Sequence, residues 1–382
     1  MPIYKMKGKK DGLQKYRVRI NYTDNEGNSR QMDRVAYGVE AAKRLEMKLT
    51  QDINENPSNK MTVQELCDEF LDVKKREVRE STAYSIQIYL NRYILPFLKD
   101  YRLTKLTPSV LQKWKSNIDS IPGVKVKTLS LAMKKSIFKQ FRALLNYAVK
   151  MEYIPKNPLI TVGNFKDAYA QKSTFDFYMP EEFKKFITAA REAAEISERE
   201  THSIYEWNFY IFFNIAFYTG ARKGEINALK WTDLDGNILH IERSINQKLK
   251  GNDRETPPKN QSSIRDIQLP IPLLGILKEH YQRYQQISGF NDDWRICGGT
   301  ECIRDSTIKN KNILYAKAAG LKTIRIHDFR HSHASLLVNE GINIQEIARR
   351  LGHAQIEMTW NTYAHLYPRE EEKAVQILNK IV

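Results

Sequence analysis

Four short stretches in the last third of the chain carry side chains that can manage a phosphate. In Thr219-Gly220-Ala221-Arg222-Lys223-Gly224-Glu225, Arg222 and Glu225 stand three residues apart, on one face of a helix that starts near the glycine. A guanidinium there can grip two non-bridging phosphate oxygens; the plainer alternative is a structural ion pair with Glu225. Residues Thr256 to Leu269 read as a hairpin turn leading into a strand, with Ile267 and Leu269 on one face. Lys259 then projects from a loop or strand end, where its ammonium either protonates a leaving alkoxide or simply stands in solvent. The third stretch, His327-Asp328-Phe329-Arg330-His331-Ser332-His333, sets His327 and Arg330 three apart, a pairing suited to proton handling and charge stabilisation at a phosphate. His327 and His331 also have the four-residue spacing of a helical metal pair. No acidic or cysteine ligand accompanies them, and Cys297 and Cys302 fall in a separate loop, so no metal is expected. Finally, Ile344, Ile347 and Leu351 form the buried face of a helix that stops at Gly352 and exposes His353, with Tyr363 ten residues beyond. Tyr363 is one of twenty tyrosines, and only the company of the other stretches singles it out.

These groups need a scaffold. From Pro180 the pattern is mostly helical, interrupted by short strands over residues 237–244 and 263–269, with a turn at Asp235-Gly236-Asn237. Upstream, Thr62 and Glu65 form a capping-box pattern before Val63, Leu66, Phe70 and Val73 at helical spacing. Further helices are predicted over 82–98, 108–118 and 129–150. In the last of these, Ile137, Phe141, Leu144, Leu145 and Ala148 make a buried face, and Lys134, Lys135, Lys139 and Arg142 supply a basic stripe. Ile154-Pro155-Lys156-Asn157-Pro158 closes this bundle, and residues 160–175 read as a connection. At the start of the chain, Tyr16, Val18, Ile20 and Tyr22 alternate with Lys15, Arg17, Arg19 and Asn21, the period of a strand with one apolar and one basic face. Asp24 to Asn28 supplies a turn, Ala42, Leu45, Leu49 and Ile53 a helix face, and Asn56-Pro57-Ser58-Asn59 a linker.

Composition narrows the partners. The 382 residues suggest two or three domains, and 61 Lys+Arg against 45 Asp+Glu leave a charge of +16, a field that attracts phosphate backbones. The excess is concentrated: residues 60–165 carry 19 basic and 9 acidic groups, whereas 166–382 carry 30 and 28. Between Lys99 and Lys150, twelve basic residues face only Asp100 and Asp119, as a surface for a polyanion would. The richest apolar stretch, Phe209 to Tyr218, falls well short of the ~20 residues of a membrane span. The start Met1-Pro2-Ile3-Tyr4-Lys5 lacks the apolar core of a secretion signal, and three cysteines build no disulfide framework, so a reducing, cytoplasmic setting is expected. There is no internal repeat or low-complexity tract.

Taken together and in order, the four stretches resemble the tyrosine recombinase family, specifically the integrases of temperate phages and conjugative transposons. The resemblance aligns Arg222 with the arginine of Thr-Gly-x-Arg-x-Gly-Glu, Lys259 with the hairpin lysine, and His327 and Arg330 with His-x-x-Arg. It aligns His353 with the histidine of Leu-Gly-His and Tyr363 with the nucleophile. It implies a multidomain protein: an arm-type DNA-binding module of small β-sheet plus helix over 1–55, an all-α core-binding bundle over 60–160, and a mostly-α catalytic domain with a small antiparallel sheet over 175–382. The implied activity is site-specific recombination of double-stranded DNA through a covalent 3'-phosphotyrosyl intermediate, without ATP, metal or other cofactor. Tyr363 would attack, Arg222 and Arg330 would clamp the phosphate, and Lys259 would protonate the leaving 5'-oxygen. His327 would take the proton of Tyr363, His353 would bond the phosphate, and Glu225 would orient the arginines. Lys134, Lys135, Lys139 and Arg142 would grip the core site, and Arg17 and Arg19 would read a separate arm site; solvated or structural surface charges are the alternative for both sets. The implied assembly is a homotetramer on DNA, with an excision factor or host DNA-bending protein as accessory partners, no membrane, and a nucleoid location. A tail through Ala374, Ile377, Leu378 and Ile381 would pack on its own domain or on a neighbouring protomer. Type IB topoisomerase, chromosome- or plasmid-dimer resolvase, metal nuclease and silent architectural DNA-binding protein are the competing functions.

Overall fold

The computed structural model describes residues 3–23, 29–55, 61–123, 128–167, 176–247, 254–256 and 261–366, together with 375, 378 and 379. The turn expected over Asp24–Asn28, the linker Asn56–Asn59, Lys259, and tail residues Ala374, Ile377 and Ile381 lie outside that set. The chain divides into two compact units, Met1–Gln171 and Lys172–Val382. Among the described residues no helix is long and apolar enough to cross a membrane.

The first unit opens with an antiparallel sheet of β1 (Ile3–Lys10), β2 (Leu13–Thr23) and β3 (Ser29–Tyr37), with β2 central. Helix α1 (Val39–Glu55) packs on β2 and β3, and Val18 and Ala42 are sealed from solvent. Strand alternation therefore turns Arg17 and Arg19 to the opposite face. Arg19 is engaged there: its Nε and Nη2 bond the Asp33 carboxylate of β3 at 2.9 and 3.2 Å.

Next come α2 (Val63–Glu77), α3 (Glu80–Tyr93), the single turn α4 (Leu95–Leu98), α5 (Pro108–Ser120), α6 (Leu131–Lys150) and the short α7 (Leu159–Val162). Thr62 and Glu65 close their capping box reciprocally, at 3.2 and 2.7 Å. The expected face of α6 is fully buried, from Ile137 to Ala148, and Trp114 meets Phe141 edge-on at 4.7 Å. The helix predicted over 82–98 breaks at Ile94, with Pro96 in the following turn. The bundle core also continues past residue 160: Phe165 is buried in it, and Lys115 ties down the carbonyls of Gly163 and Asn164 at 3.1 Å each. On α6, Lys135, Lys139 and Arg142 are exposed along one face, whereas Lys134 is half-buried and bonded to Asp119 at 2.7 Å.

The second unit is built around α9 (Trp207–Thr219), apolar all round and almost wholly buried. Packed against it are α8 (Pro180–Thr201), α10 (Lys223–Ala228), α11 (Ile271–Gln285) and α13 (Asp328–Asn339), while α12 (Asp305–Ala318) leans on α8. A small antiparallel sheet orders β4 (Leu234–Asp235), β5 (Ile238–Ile241) and β8 (Arg265–Gln268), and β6 (Ser244–Asn246) pairs with β7 (Arg254–Thr256) as a separate ribbon. The chain then adds α14 (Ile344–Leu351) and α15 (Ile356–Tyr363). These share a minor core of Ala334, Val338, Ile347, Leu351 and Tyr363 with α13. The architecture is mostly helical with small antiparallel sheets.

Candidate active site

The site forms where α9, β8, α13 and α15 meet the end of α14. Helix α9 ends at Gly220 in the left-handed conformation (φ 65°), and a Cβ there would lie 2.8 Å from both His333 and Leu351. Only glycine lets the chain turn so close to them. Two residues later Arg222 stands at the head of α10. Its backbone N–H and its Nη1 donate to Glu225 at 2.9 and 2.8 Å.

Helix α14 ends at a second left-handed glycine, Gly352 (φ 66°), where the N–H groups of Gly352 and His353 turn back to the carbonyls of Arg349 and Ala348. The next three carbonyls each receive a different guanidinium. Arg265 Nε donates to Arg350 O at 2.6 Å, Arg330 Nη2 to Leu351 O, and Arg222 Nη2 to Gly352 O at 3.2 Å. A helix terminus with unsatisfied carbonyls carries partial negative charge, so it is a natural anchor for cations.

Arg330 is 3% exposed and also donates to Gly220 O at 2.8 Å. Burial, then the charge of Arg222, pushes its pKa down to about 9, so it stays a cation at neutral pH. Glu225 is buried between Arg222 and Arg265, the latter at 2.8 Å from β8. Burial works to raise its pKa, but the two guanidiniums prevail and hold it below the ordinary carboxylate value.

The imidazoles are neutral. His327, at the start of α13, is open to solvent. The protein around it, followed by Arg330, lowers its proton affinity. Half-buried His353 is held by Thr359 Oγ1 at 2.7 Å and pushed down to about 4 by burial, then by Arg330 and Arg222. Tyr363, at the end of α15, is 2% exposed, and burial raises its pKa against the pull of Arg330. Its hydroxyl meets Nδ1 of His331 at 2.6 Å.

Arg222, His327, Arg330, His353 and Tyr363 are thus brought into one electropositive cluster, while Lys259 falls outside the described residues. Arg17, Arg19, Lys134, Lys135, Lys139 and Arg142 belong to the other unit. Sequence reasoning gave the proton of Tyr363 to His327; the structure puts His331, one helical turn further along α13, at that hydroxyl. It also passed over Arg265, although the alternation that buries Ile267 and Leu269 puts Arg265 on the same face. Among the described residues no three His, Cys, Asp or Glu side chains converge as a metal site. The cluster combines two arginines, imidazoles held toward their neutral form and a buried phenol.

Comparison with known proteins gives the family. Residues 178–370 match the phage integrase family and residues 62–118 the phage integrase N-terminal SAM-like domain. The chain is 28% identical to the ICEBs1 integrase of Bacillus subtilis over 309 residues, 78% of each chain. It is also 28% identical to a XerC-like tyrosine recombinase of Caldanaerobacter subterraneus, over 65% of this chain and 66% of that one. The fold is shared with the Tn1549 transposon integrase in complex with circular intermediate DNA (TM-score 0.64, 17% identity, 84% of this chain and 100% of that one). It is likewise shared with lambda integrase in a tetramer bound to a Holliday junction (TM-score 0.57, 16% identity, 97% of each chain). With the larger match spanning half of its length and covering every described group of the cluster, the chain belongs to the phage integrase family.

Proposed function

We propose that the protein is a site-specific DNA recombinase that cuts a strand with Tyr363, holds the end as a 3'-phosphotyrosyl ester and rejoins it to another strand. It thereby integrates and excises a mobile element or prophage. The observation that carries this reading is the convergence of Arg222 and Arg330 on the end of α14, with Tyr363 delivered from the adjoining helix. Covalent attachment conserves the energy of the broken ester, so no ATP is required. The two guanidiniums stabilise the charge that builds on the non-bridging oxygens, the task a metal performs in other phosphoryl transfers. His353, fixed by Thr359, bonds the scissile phosphate, and His327 lines its approach. Glu225 sets the angle of Arg222. Lys259 protonates the leaving 5'-oxygen.

The exposed row Lys135, Lys139 and Arg142 grips the core-site backbone. Lys134 first has to leave Asp119, and Arg19 has to leave Asp33, before either can bind DNA. Arg17 on the outer sheet face reads the arm site, and tethering the two modules raises the effective concentration of one site for the other. The DNA-bound dimers and tetramers of lambda integrase support assembly of several copies on DNA, here a homotetramer. An excision factor or host DNA-bending protein sets the direction of the reaction. An enzyme of this kind works in the bacterial cytoplasm, at the nucleoid.

The test is a denaturing gel after incubation, in EDTA, with a nicked duplex carrying the joined ends of the element that encodes the protein. Wild type is expected to form a covalent adduct and Tyr363→Phe none, with equal DNA binding. Adduct formed equally by Tyr363→Phe, or activity abolished by EDTA, refutes the reading.

A further inference from the structure

Resting on the reading of Tyr363 as nucleophile, we propose that His331 is the general base of the reaction, its Nδ1 taking the phenolic proton as the Tyr363 oxygen attacks phosphorus. The two atoms stand in hydrogen-bond range, at 2.6 Å, and the two rings lie 5.6 Å apart between centroids. The contact joins α13 to α15 beside the minor core that buries Tyr363, with His331 half-buried at its edge. His327, packed edge-on against His331 at 5.2 Å, stands one turn back, toward solvent.

The proton balance closes. With its own proton on Nε2, His331 accepts from the hydroxyl through Nδ1. The Tyr363 oxygen then bonds phosphorus, the bond from phosphorus to the 5'-oxygen breaks, and that oxygen takes a proton from Lys259. On rejoining, the 5'-hydroxyl returns its proton to Lys259 as its oxygen bonds phosphorus, the phosphotyrosyl bond breaks, and the imidazolium returns its proton to Tyr363.

The same surroundings hold the imidazole in its neutral, proton-accepting form. Burial, then His327, with Arg325 and Arg330 adding to it and Asp328 opposing, pushes His331 down to about 4, while Tyr363 faces it from α15. An entering phosphodiester puts negative charge against Arg330 and raises the proton affinity of His331 toward the working range.

The experiment compares full-length wild type, His331→Gln, His331→Asn and Lys259→Ala on the nicked duplex above. The same set is run on that duplex with sulfur replacing the bridging 5'-oxygen, a leaving group that needs no proton. His331→Asn retains an acceptor near the place of Nδ1 that cannot keep a proton, which separates positioning from proton transfer. Both His331 variants are expected to bind DNA as wild type does and to form adduct about 100-fold or more slowly on either substrate. Their rates should keep climbing with pH where the wild-type rate levels off, and the Lys259→Ala defect should vanish on the sulfur substrate. An His331→Asn rate within threefold of wild type, an unchanged pH profile, or rescue of the His331 variants by sulfur overturns the inference alone. A wild type that forms no adduct overturns the reading of Tyr363, and this inference with it.

Discussion

Replacing Arg265 with methionine removes the cation that faces Glu225 from β8 and leaves the stem's volume in place. The pair is nearly sealed, with side-chain exposures of 3% and 6%, so among the described residues the remaining carboxylate keeps its ion pair with Arg222, which is itself 36% exposed. The carbonyls of Arg350 and Ser263 lose their donor in the same step. Removing one partner of a buried pair destabilises by about 3–5 kcal/mol. In a unit of this size that lowers the unfolding midpoint by about 6–20 °C, at about 2–4 °C per kcal/mol. Thermal unfolding of the intact protein, followed by calorimetry at pH 7, measures it. The acid limb identifies the charge. Glu225 is held below its ordinary value of 4.5 in the wild type, so its contribution is present above that pH and is lost as pH falls through the lowered folded value. In Arg265→Met burial favours the protonated carboxyl, so the gap between variant and wild type should begin to narrow above pH 4.5, as pH falls through the variant's raised value, and go on narrowing down to the wild type's lowered one. Adding Glu225→Gln to Arg265→Met should recover part of the loss at pH 7. A midpoint drop under about 3 °C, or a gap of the same size at pH 7 and pH 4, refutes the argument.

Gly352→Ala places a left-handed residue at a helix end, costing about 1–2 kcal/mol. Its Cβ would also press on Arg265 Nη1 at 3.0 Å and Ser262 O at 3.1 Å, so the midpoint should fall by several degrees and adduct formation with it. A melting curve equal to wild type counts against the role given to this turn. The triple variant Lys135→Ala, Lys139→Ala, Arg142→Ala should weaken DNA binding at low salt. The slope of log affinity against log salt should be shallower by about 3 if each group meets a phosphate, and unchanged if they are solvated bystanders.

Much of this was legible before folding, and the reasons are local. The Thr62 capping box, the buried face of α6 and the alternation of β2 each follow from spacing within one element, and the structure reproduces them. Strands β1 and β3 gave little signal because they flank β2 with mostly exposed residues on both faces. In the site, residue types and their order pointed to Arg222, His327, Arg330, His353 and Tyr363. Which imidazole meets Tyr363 depends on how α15 docks against α13, a tertiary fact that sequence spacing does not encode. Arg265 carried a readable sign, a charged side chain at an inward strand position, and its partners lie 40 and 85 residues away.

The end of α14 adds one more consequence. Three arginines from three separate segments are fastened to main-chain oxygens, so the atoms that align them are ones every amino acid possesses. Alanine scanning at Arg350 therefore leaves its carbonyl in place, and a survey of side chains would score the anchor as dispensable. Its contribution becomes visible only when the peptide link itself is altered, for instance by replacing the amide that follows Arg350 or Leu351 with an ester, whose carbonyl is a poorer acceptor. This part of the catalytic framework can thus persist while the letters that spell α14 change.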